Sequence, residues 1–183
     1  MQSTPQPVLR DLVLVGGGHS HVGVLRMFAM QPEPGVRLTL ICTDIDTPYS
    51  GMLPGYISGH YSFDEVHIDL GRLCAFAGAR FYRDAVVGID RQNQRVICAN
   101  RPPVAYDLLS INTGSTPKVE NIEGAQALAT PVKPIAQFNQ RWLALLDKAR
   151  QWPSHRGRMT IAVVGGGAGG VELVLSMQYR LRL

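Results

Sequence analysis

Two short clusters of glycine carry the clearest chemical signal in this sequence. Gly165, Gly167 and Gly170 satisfy G-x-G-x-x-G between an apolar run, Thr160–Val164, and a helical pattern, Val171–Leu183. In that setting the first glycine permits a tight turn. The second lets the backbone approach a pyrophosphate, and the third lets the helix pack closely on the strand. The helix start then offers unpaired N–H groups and a partial positive charge to phosphate. Gly16 and Gly18 begin the same pattern near the N-terminus, but its third position holds His21. A bulky residue there should push the helix away from the strand, unless Gly23 relieves the crowding. The pattern also expects a carboxylate at the end of the second strand, to hold ribose hydroxyls. That position is Cys42, a poor acceptor, with Asp44 and Asp46 close behind as substitutes.

Other reactive side chains are weighed more simply. His19 and His21 flank Ser20, and His60 and His67 lie farther on. Ring directions at i and i+2 on a turn do not favour shared ligation, so no metal site is expected. His19 is a candidate donor to phosphate, against a solvated turn residue. Tyr49 and Tyr56 fit either a ligand contact or core filling. Trp142 and Trp152 are expected in the core. Glu172, just after the second cluster, is a candidate contact to ribose or to a neighbouring helix.

The elements that would position these residues follow from periodicity. Leu9–Val15 and Val36–Cys42 are near-continuous apolar runs, as in parallel strands buried on both faces. Between them His21–Met30 has helical spacing, ended by Pro32 and Pro34. Residues 43–68 show no clear period and read as a packed loop. Asp69 caps a short helix through Phe76, closed by Gly78. Arg80–Asp90, Arg95–Cys98 and Val104–Asn112 read as a meander returning to the main sheet. Residues 115–134 form a connector. Ile135–Trp152 is amphipathic, with Phe138, Trp142, Leu145, Leu146 and Ala149 on one face. A polar linker, Pro153–Arg158, leads to the second cluster. The fold class is therefore α/β.

Composition sets the outer limits. The chain has 183 residues, 45% hydrophobic and 17% charged, which is globular rather than disordered. No apolar stretch is long enough for a transmembrane helix, and the N-terminus has no basic start leading into an apolar core. Cys42, Cys74 and Cys98 make no paired spacing, so a reduced, cytoplasmic setting is expected. The net charge is +4, with the excess of bases in residues 141–183. No aromatics are interleaved with them, so a solvated surface is expected rather than nucleic-acid binding.

The paired clusters, with a meander between them, resemble the pyridine nucleotide-disulfide oxidoreductase class of flavoproteins. Tyr106-Asp107-Leu108-Leu109-Ser110-Ile111-Asn112-Thr113-Gly114-Ser115-Thr116-Pro117 is similar to that class's Y-D-x-L-x-x-A-T-G-S-x-P signature, with Asn112 in place of the usual Ala. Two further segments carry a closer similarity. They are Gly16-Gly17-Gly18-His19-Ser20-His21 and Asp46-Thr47-Pro48-Tyr49-Ser50-Gly51-Met52-Leu53-Pro54-Gly55-Tyr56. Together they resemble the NADH dehydrogenase-like domain fused ahead of selenide, water dikinase in some bacteria. This similarity covers most of residues 8–183.

The resemblance implies a Rossmann-like FAD-binding fold with an antiparallel meander (8–134), a helix and linker (135–158), and the first β-α of a second Rossmann fold for NADH or NADPH (159–183). It implies Gly16 and Gly18 at the FAD pyrophosphate, His19 near phosphate or flavin, and the Val86 backbone at adenine. Asp44 would stand in at the ribose, and Thr113 and Gly114 belong to the flavin-side signature. Tyr49, Ser50, Gly51 and Met52 would approach the flavin. Gly165, Gly167, Gly170 and Glu172 would serve the nicotinamide side. Hydride would pass from nicotinamide to flavin and on to an acceptor. With no paired cysteines, a quinone or another small acceptor fits better than a disulfide. A fused or associated selenide, water dikinase is a possible partner, and a non-catalytic redox-sensing module is the alternative. The Gly-Asp segment that completes such FAD folds does not occur, so the chain is expected to be an N-terminal fragment that holds FAD weakly.

Overall fold

The computed structural model describes residues 7–115, 119 and 121–183. The N-terminal residues 1–6, and Thr116 and Pro117 of the signature, lie outside these. The chain divides into two compact units, Met1–Thr47 with Ile68–Gly114, and Pro48–His67 with Ser115–Leu183.

The first unit is built on a parallel sheet of β1 (Arg10–Val15), β2 (Val36–Cys42), β5 (Arg80–Arg83) and β9 (Leu108–Ile111), in the order β5-β2-β1-β9. β1 sits centrally, with Leu14 opposite Leu40 of β2 and Ser110 of β9. Strand side chains alternate between faces, and here both faces are covered. Leu14, Leu38, Leu40 and Cys42 pack with Leu25 of α1 (His19–Met30) and with Leu70 and Cys74 of α4 (Leu70–Phe76). Val13, Val15 and Ile41 pack instead with Val96 and Cys98. The latter lie in a three-stranded antiparallel layer of β6 (Val86–Asp90), β7 (Arg95–Cys98) and β8 (Val104–Ala105). This double cover explains the unbroken apolar runs in β1 and β2. At the opposite end from the glycine turn, Arg37 Nε and Nη2 donate to the two Asp11 carboxylate oxygens at 2.6 and 2.8 Å.

Two expected strands each prove to be two. Arg80–Asp90 breaks at Asp84, whose carboxylate accepts from the Ala85 amide and from both nitrogens of Asn100. Burial pushes this carboxyl up, but the Asn100 and Ala85 hydrogen bonds and nearby Arg101 outweigh it and hold it low. The chain leaves the parallel sheet there and enters the antiparallel layer. Val104–Asn112 breaks at Tyr106-Asp107 in the same way, returning to the parallel sheet as β9.

Residues 43–68 are not a structureless loop. They hold β3 (Asp46–Pro48), a 3-10 turn at Ser50–Met52, α2 (Leu53–Ser58), α3 (Phe63–Val66) and the start of β4 (His67–Asp69). α3 begins with a reciprocal cap: Ser62 Oγ accepts from the Glu65 amide, and the Glu65 carboxylate accepts from the Ser62 amide. Asp69 caps α4, as expected, through the Arg72 amide at 2.8 Å.

The second unit is helical, with α2, α3, α5 (Ala125–Leu128), α6 (Ile135–Arg150) and α7 (Ala168–Arg182). Its core joins Leu53 and Ile57 of α2, Phe138, Trp142 and Leu146 of α6, and Leu173 and Met177 of α7. Trp142 is 2% exposed. Trp152 lies beyond the helix, half-buried, and donates to the Gly157 carbonyl at 2.9 Å. The expected strand at 160–164 has no ladder among the described residues. Ile161 and Val163 pack against the core, whereas Val164 is 97% exposed. A parallel strand exists by its hydrogen-bonded neighbours, and no described strand pairs with this one. No described helix is long and apolar enough to cross a membrane.

Leu40 is fully buried between the helices and the sheet. Leu40→Ala should lower unfolding stability by about 2–5 kcal/mol, read by denaturant titration. The thiols give a second check. Burial pushes Cys42 up to about 11, with Asp44 adding to the rise, and Cys74 up to about 12. Both should resist a thiol reagent at pH 8 until the protein is unfolded. Because the folded values lie above the ordinary one, their contribution to stability is full at neutral pH. It should be lost as pH rises from about 9 toward 11 and 12.

Candidate functional site

The strand order dictates where a ligand crevice can form. From β1 the chain moves one way, to β2 and β5, then returns to the other side of β1 as β9. In open parallel sheets such a reversal opens a crevice at the carboxyl ends of the two strands. Here those ends are Gly16-Gly17-Gly18 after β1 and Asn112-Thr113-Gly114 after β9.

The two segments are joined closely. Gly18 N donates to the Asn112 carbonyl at 3.2 Å, Asn112 N to Val15 at 2.8 Å, and Gly16 N to Ile41 at 2.8 Å. Gly16 has φ +93°, and a Cβ there would overlap the Asn112 carbonyl oxygen. A Cβ on Gly18 would overlap the Asn112 carboxamide. The substitution of Asn for the usual Ala in the signature therefore puts a polar side chain directly beside the turn. α1 opens from Gly18 with no acidic residue in its first turn. The positive end of the helix is thus not offset locally, which fits an anionic group. The close turn and the acid-free helix start both suit a dinucleotide pyrophosphate.

The crowding expected at His21 is resolved, but not by Gly23, which meets nothing and relieves nothing. Instead the His21 ring, 1% exposed, lies between Gly16 and β9, with Nδ1 2.6 Å from the Gly16 carbonyl and Nε2 2.9 Å from Ser110 Oγ. In the sequence His21 reads only as a departure from the motif. The signal that could have located it is its place at the third motif position, facing the strand.

The first unit also holds the other expected residues of this fold. His19 is exposed at the start of α1, and Thr113 and Gly114 are exposed after β9. Cys42 Sγ donates to the Asp44 carbonyl at 3.1 Å, so the thiol is turned into the loop. The Asp44 side chain is exposed, with one carboxylate oxygen accepting from Thr43 Oγ1 at 3.1 Å. Val86 opens β6 opposite Cys98, at an irregular register.

The second unit holds the remaining candidates. Tyr49 is half-exposed and its amide donates to the Val66 carbonyl, ahead of the turn Ser50–Met52. α2 continues directly from that turn and packs on α6 and α7. Tyr56 Oη donates to Asn139 Oδ1, and the His60 ring lies 5.1 Å from that of Tyr179. Gly165 has φ +122°, and a Cβ on Gly170 would overlap its carbonyl oxygen. Gly167 caps α7, again with no acidic residue in the first turn, and Glu172 is exposed on that helix. Among the described residues no three His, Cys, Asp or Glu side chains gather as a metal site.

Comparison with known proteins agrees with this geometry. The family model "Pyridine nucleotide-disulphide oxidoreductase" matches residues 10–179. A curated relative, the NADH dehydrogenase-like protein YutJ of Bacillus subtilis (strain 168), is 28% identical over 179 residues, 93% of this chain and 45% of its own length. The chain thus spans less than half of that relative. Among solved structures, NDH2 of Plasmodium falciparum in complex with NADH superposes with a TM-score of 0.72 at 19% identity, over 91% of this chain and 36% of its own. The sulfide:quinone oxidoreductase of Aquifex aeolicus gives 0.62 at 20% identity, over 78% and 33%. At such identities these structures speak for the fold alone. The family match spans nearly the whole chain, and the chain belongs to the pyridine nucleotide-disulphide oxidoreductase family.

Proposed function

We propose that this chain supplies the flavin-binding portion, and the start of the nicotinamide-binding portion, of an FAD-dependent NAD(P)H oxidoreductase. The observation that carries the reading is the pair of glycine turns, each leading into a helix whose first turn is free of acid. Bound FAD would supply the two-electron chemistry, and the protein would hold and orient it. Gly16, Gly18 and the start of α1 would receive the pyrophosphate, with His19 nearby and Thr113 and Gly114 on the β9 side. The Val86 backbone would meet adenine. Asp44 would take the ribose, since Cys42 is buried and its proton is committed to a carbonyl. Tyr49, Ser50, Gly51 and Met52 would line the flavin side. Gly165, Gly167, Gly170 and Glu172 would serve NADH or NADPH.

The acceptor proposed is a quinone or another small molecule. Cys42, Cys74 and Cys98 are all buried and unpaired, which does not suit a dithiol relay. One structural neighbour is by name a sulfide:quinone oxidoreductase, which is in keeping with a quinone. Association with a selenide, water dikinase rests on the Gly16–His21 and Asp46–Tyr56 motifs alone.

The full-length gene product should purify yellow, release FAD on denaturation and bleach when NADH or NADPH is added without oxygen. Reoxidation by a soluble quinone should restore the colour. A colourless protein that yields no flavin, and takes none up when FAD is supplied, would sink the reading. Flavin that binds but never bleaches would leave a binding module without reductase activity.

A further inference from the structure

The two glycine turns share a backbone and differ at one side chain. Gly18 and Gly167, the cap residues, have φ/ψ of −68°/165° and −72°/168°. In each turn the same two amides close on the cap carbonyl: His21 and Val22 on Gly18 at 2.9 and 3.2 Å, Gly170 and Val171 on Gly167 at 3.0 and 3.1 Å. The third motif position then diverges. In the second turn it is Gly170, and the missing Cβ leaves room for the Gly165 carbonyl. In the first turn it is His21, whose ring reaches the equivalent carbonyl, that of Gly16, and Ser110 of β9 as well.

The hydrogen-bond chemistry fixes the ring. A carbonyl only accepts, so Nδ1 carries the proton and donates to Gly16. In the neutral ring Nε2 then accepts from the Ser110 hydroxyl. Both ring nitrogens of a fully buried imidazole are thereby satisfied, as burial demands. The bonded carbonyl belongs to the Gly16–Gly17 peptide, and a peptide between two glycines is the freest to rotate. Its C=O and N–H point in opposite directions across a planar unit. Holding the carbonyl on the imidazole therefore also fixes the direction of the Gly17 N–H.

We propose that His21 is a positioning residue, whose imidazole clamps the Gly16–Gly17 peptide to β9 in the orientation that receives the FAD pyrophosphate. This rests on reading the first turn as the FAD site. The clamp replaces the close contact of a third glycine with two directed hydrogen bonds, one to each wall of the crevice. Fixing the turn before the ligand arrives removes an ordering cost from binding.

The test uses the full-length gene product as apo-protein, with His21→Phe, His21→Asn and Ser110→Ala. FAD affinity is read by fluorescence titration, and amide hydrogen exchange is followed across residues 15–22 without ligand. His21→Phe fills the space without hydrogen bonds. It should weaken FAD at least tenfold and speed exchange in the turn, with a small change in the thermal midpoint of the apo-protein. His21→Asn can still donate to Gly16 and should recover most of the affinity. Ser110→Ala should fall between, and carries the test if the His21 variants do not fold. Unchanged affinity and exchange in His21→Phe and Ser110→Ala, beside a wild type that binds FAD, would overturn the clamp alone. The clamp is equally overturned if His21→Asn does no better than Phe and affinity merely tracks the thermal midpoint. A wild type that takes up no FAD would overturn the functional reading and the clamp with it.

Discussion

One backbone approach organises the first unit: the turn after β1 lies against the end of β9 with no room for a side chain. The amides of Gly16, Gly18 and Asn112 each donate across this junction, to Ile41, Asn112 and Val15, so three parallel strands are tied at their carboxyl ends. The approach requires a residue at φ +93° without a Cβ, which is a requirement for glycine at position 16. It also requires β9 to return beside β1 rather than beyond β5. That in turn requires the chain to leave the sheet after β5 and come back. The detour through β6, β7 and β8 accomplishes this, and it covers the sheet face that the helices leave open.

Much of this was legible in the sequence because local and tertiary signals agree. The runs Leu9–Val15 and Val36–Cys42 read as strands buried on both faces, and both faces are covered. Asp69 read as a cap and caps. The stripe of Phe138, Trp142 and Leu146 read as a buried helix face and is one. The glycine turns were legible because the φ and the close approach they need admit few other residues.

What escaped the sequence was set by contacts distant along the chain. Arg80–Asp90 is continuous in β pattern, and the hydrogen bonds of Asp84 to Asn100, distant along the chain, mark where it changes sheets. Residues 43–68 lack a period because their helices are too short for one. α2 has six residues and is fixed by packing on α6 and α7 rather than by its own propensity. The Ser62-x-x-Glu65 cap is a local signal that the loop reading of this stretch passed over. The strand at 160–164 fails for the opposite reason: its pattern is strand-like, but no described neighbour completes the ladder.

The departures from the motif are consistent with one another once burial is considered. At the end of β2 a charged carboxylate would sit where Cys42 is 8% exposed, beside Leu70 and Cys74 in an apolar cluster. A thiol tolerates that setting, and its proton reaches the Asp44 carbonyl. The carboxylate of Asp44 stands outside, in solvent, where its charge costs little. At the third motif position, a buried imidazole is tolerable because the Gly16 carbonyl and the Ser110 hydroxyl use both ring nitrogens. The first departure therefore keeps a carboxylate out of the apolar cluster, and neither leaves a ring or thiol proton without an acceptor. A turn that had merely decayed would not be expected to satisfy both conditions, nor to keep cap dihedrals within a few degrees of the all-glycine copy. The first turn is a variant that preserves the backbone of the motif and changes what holds it.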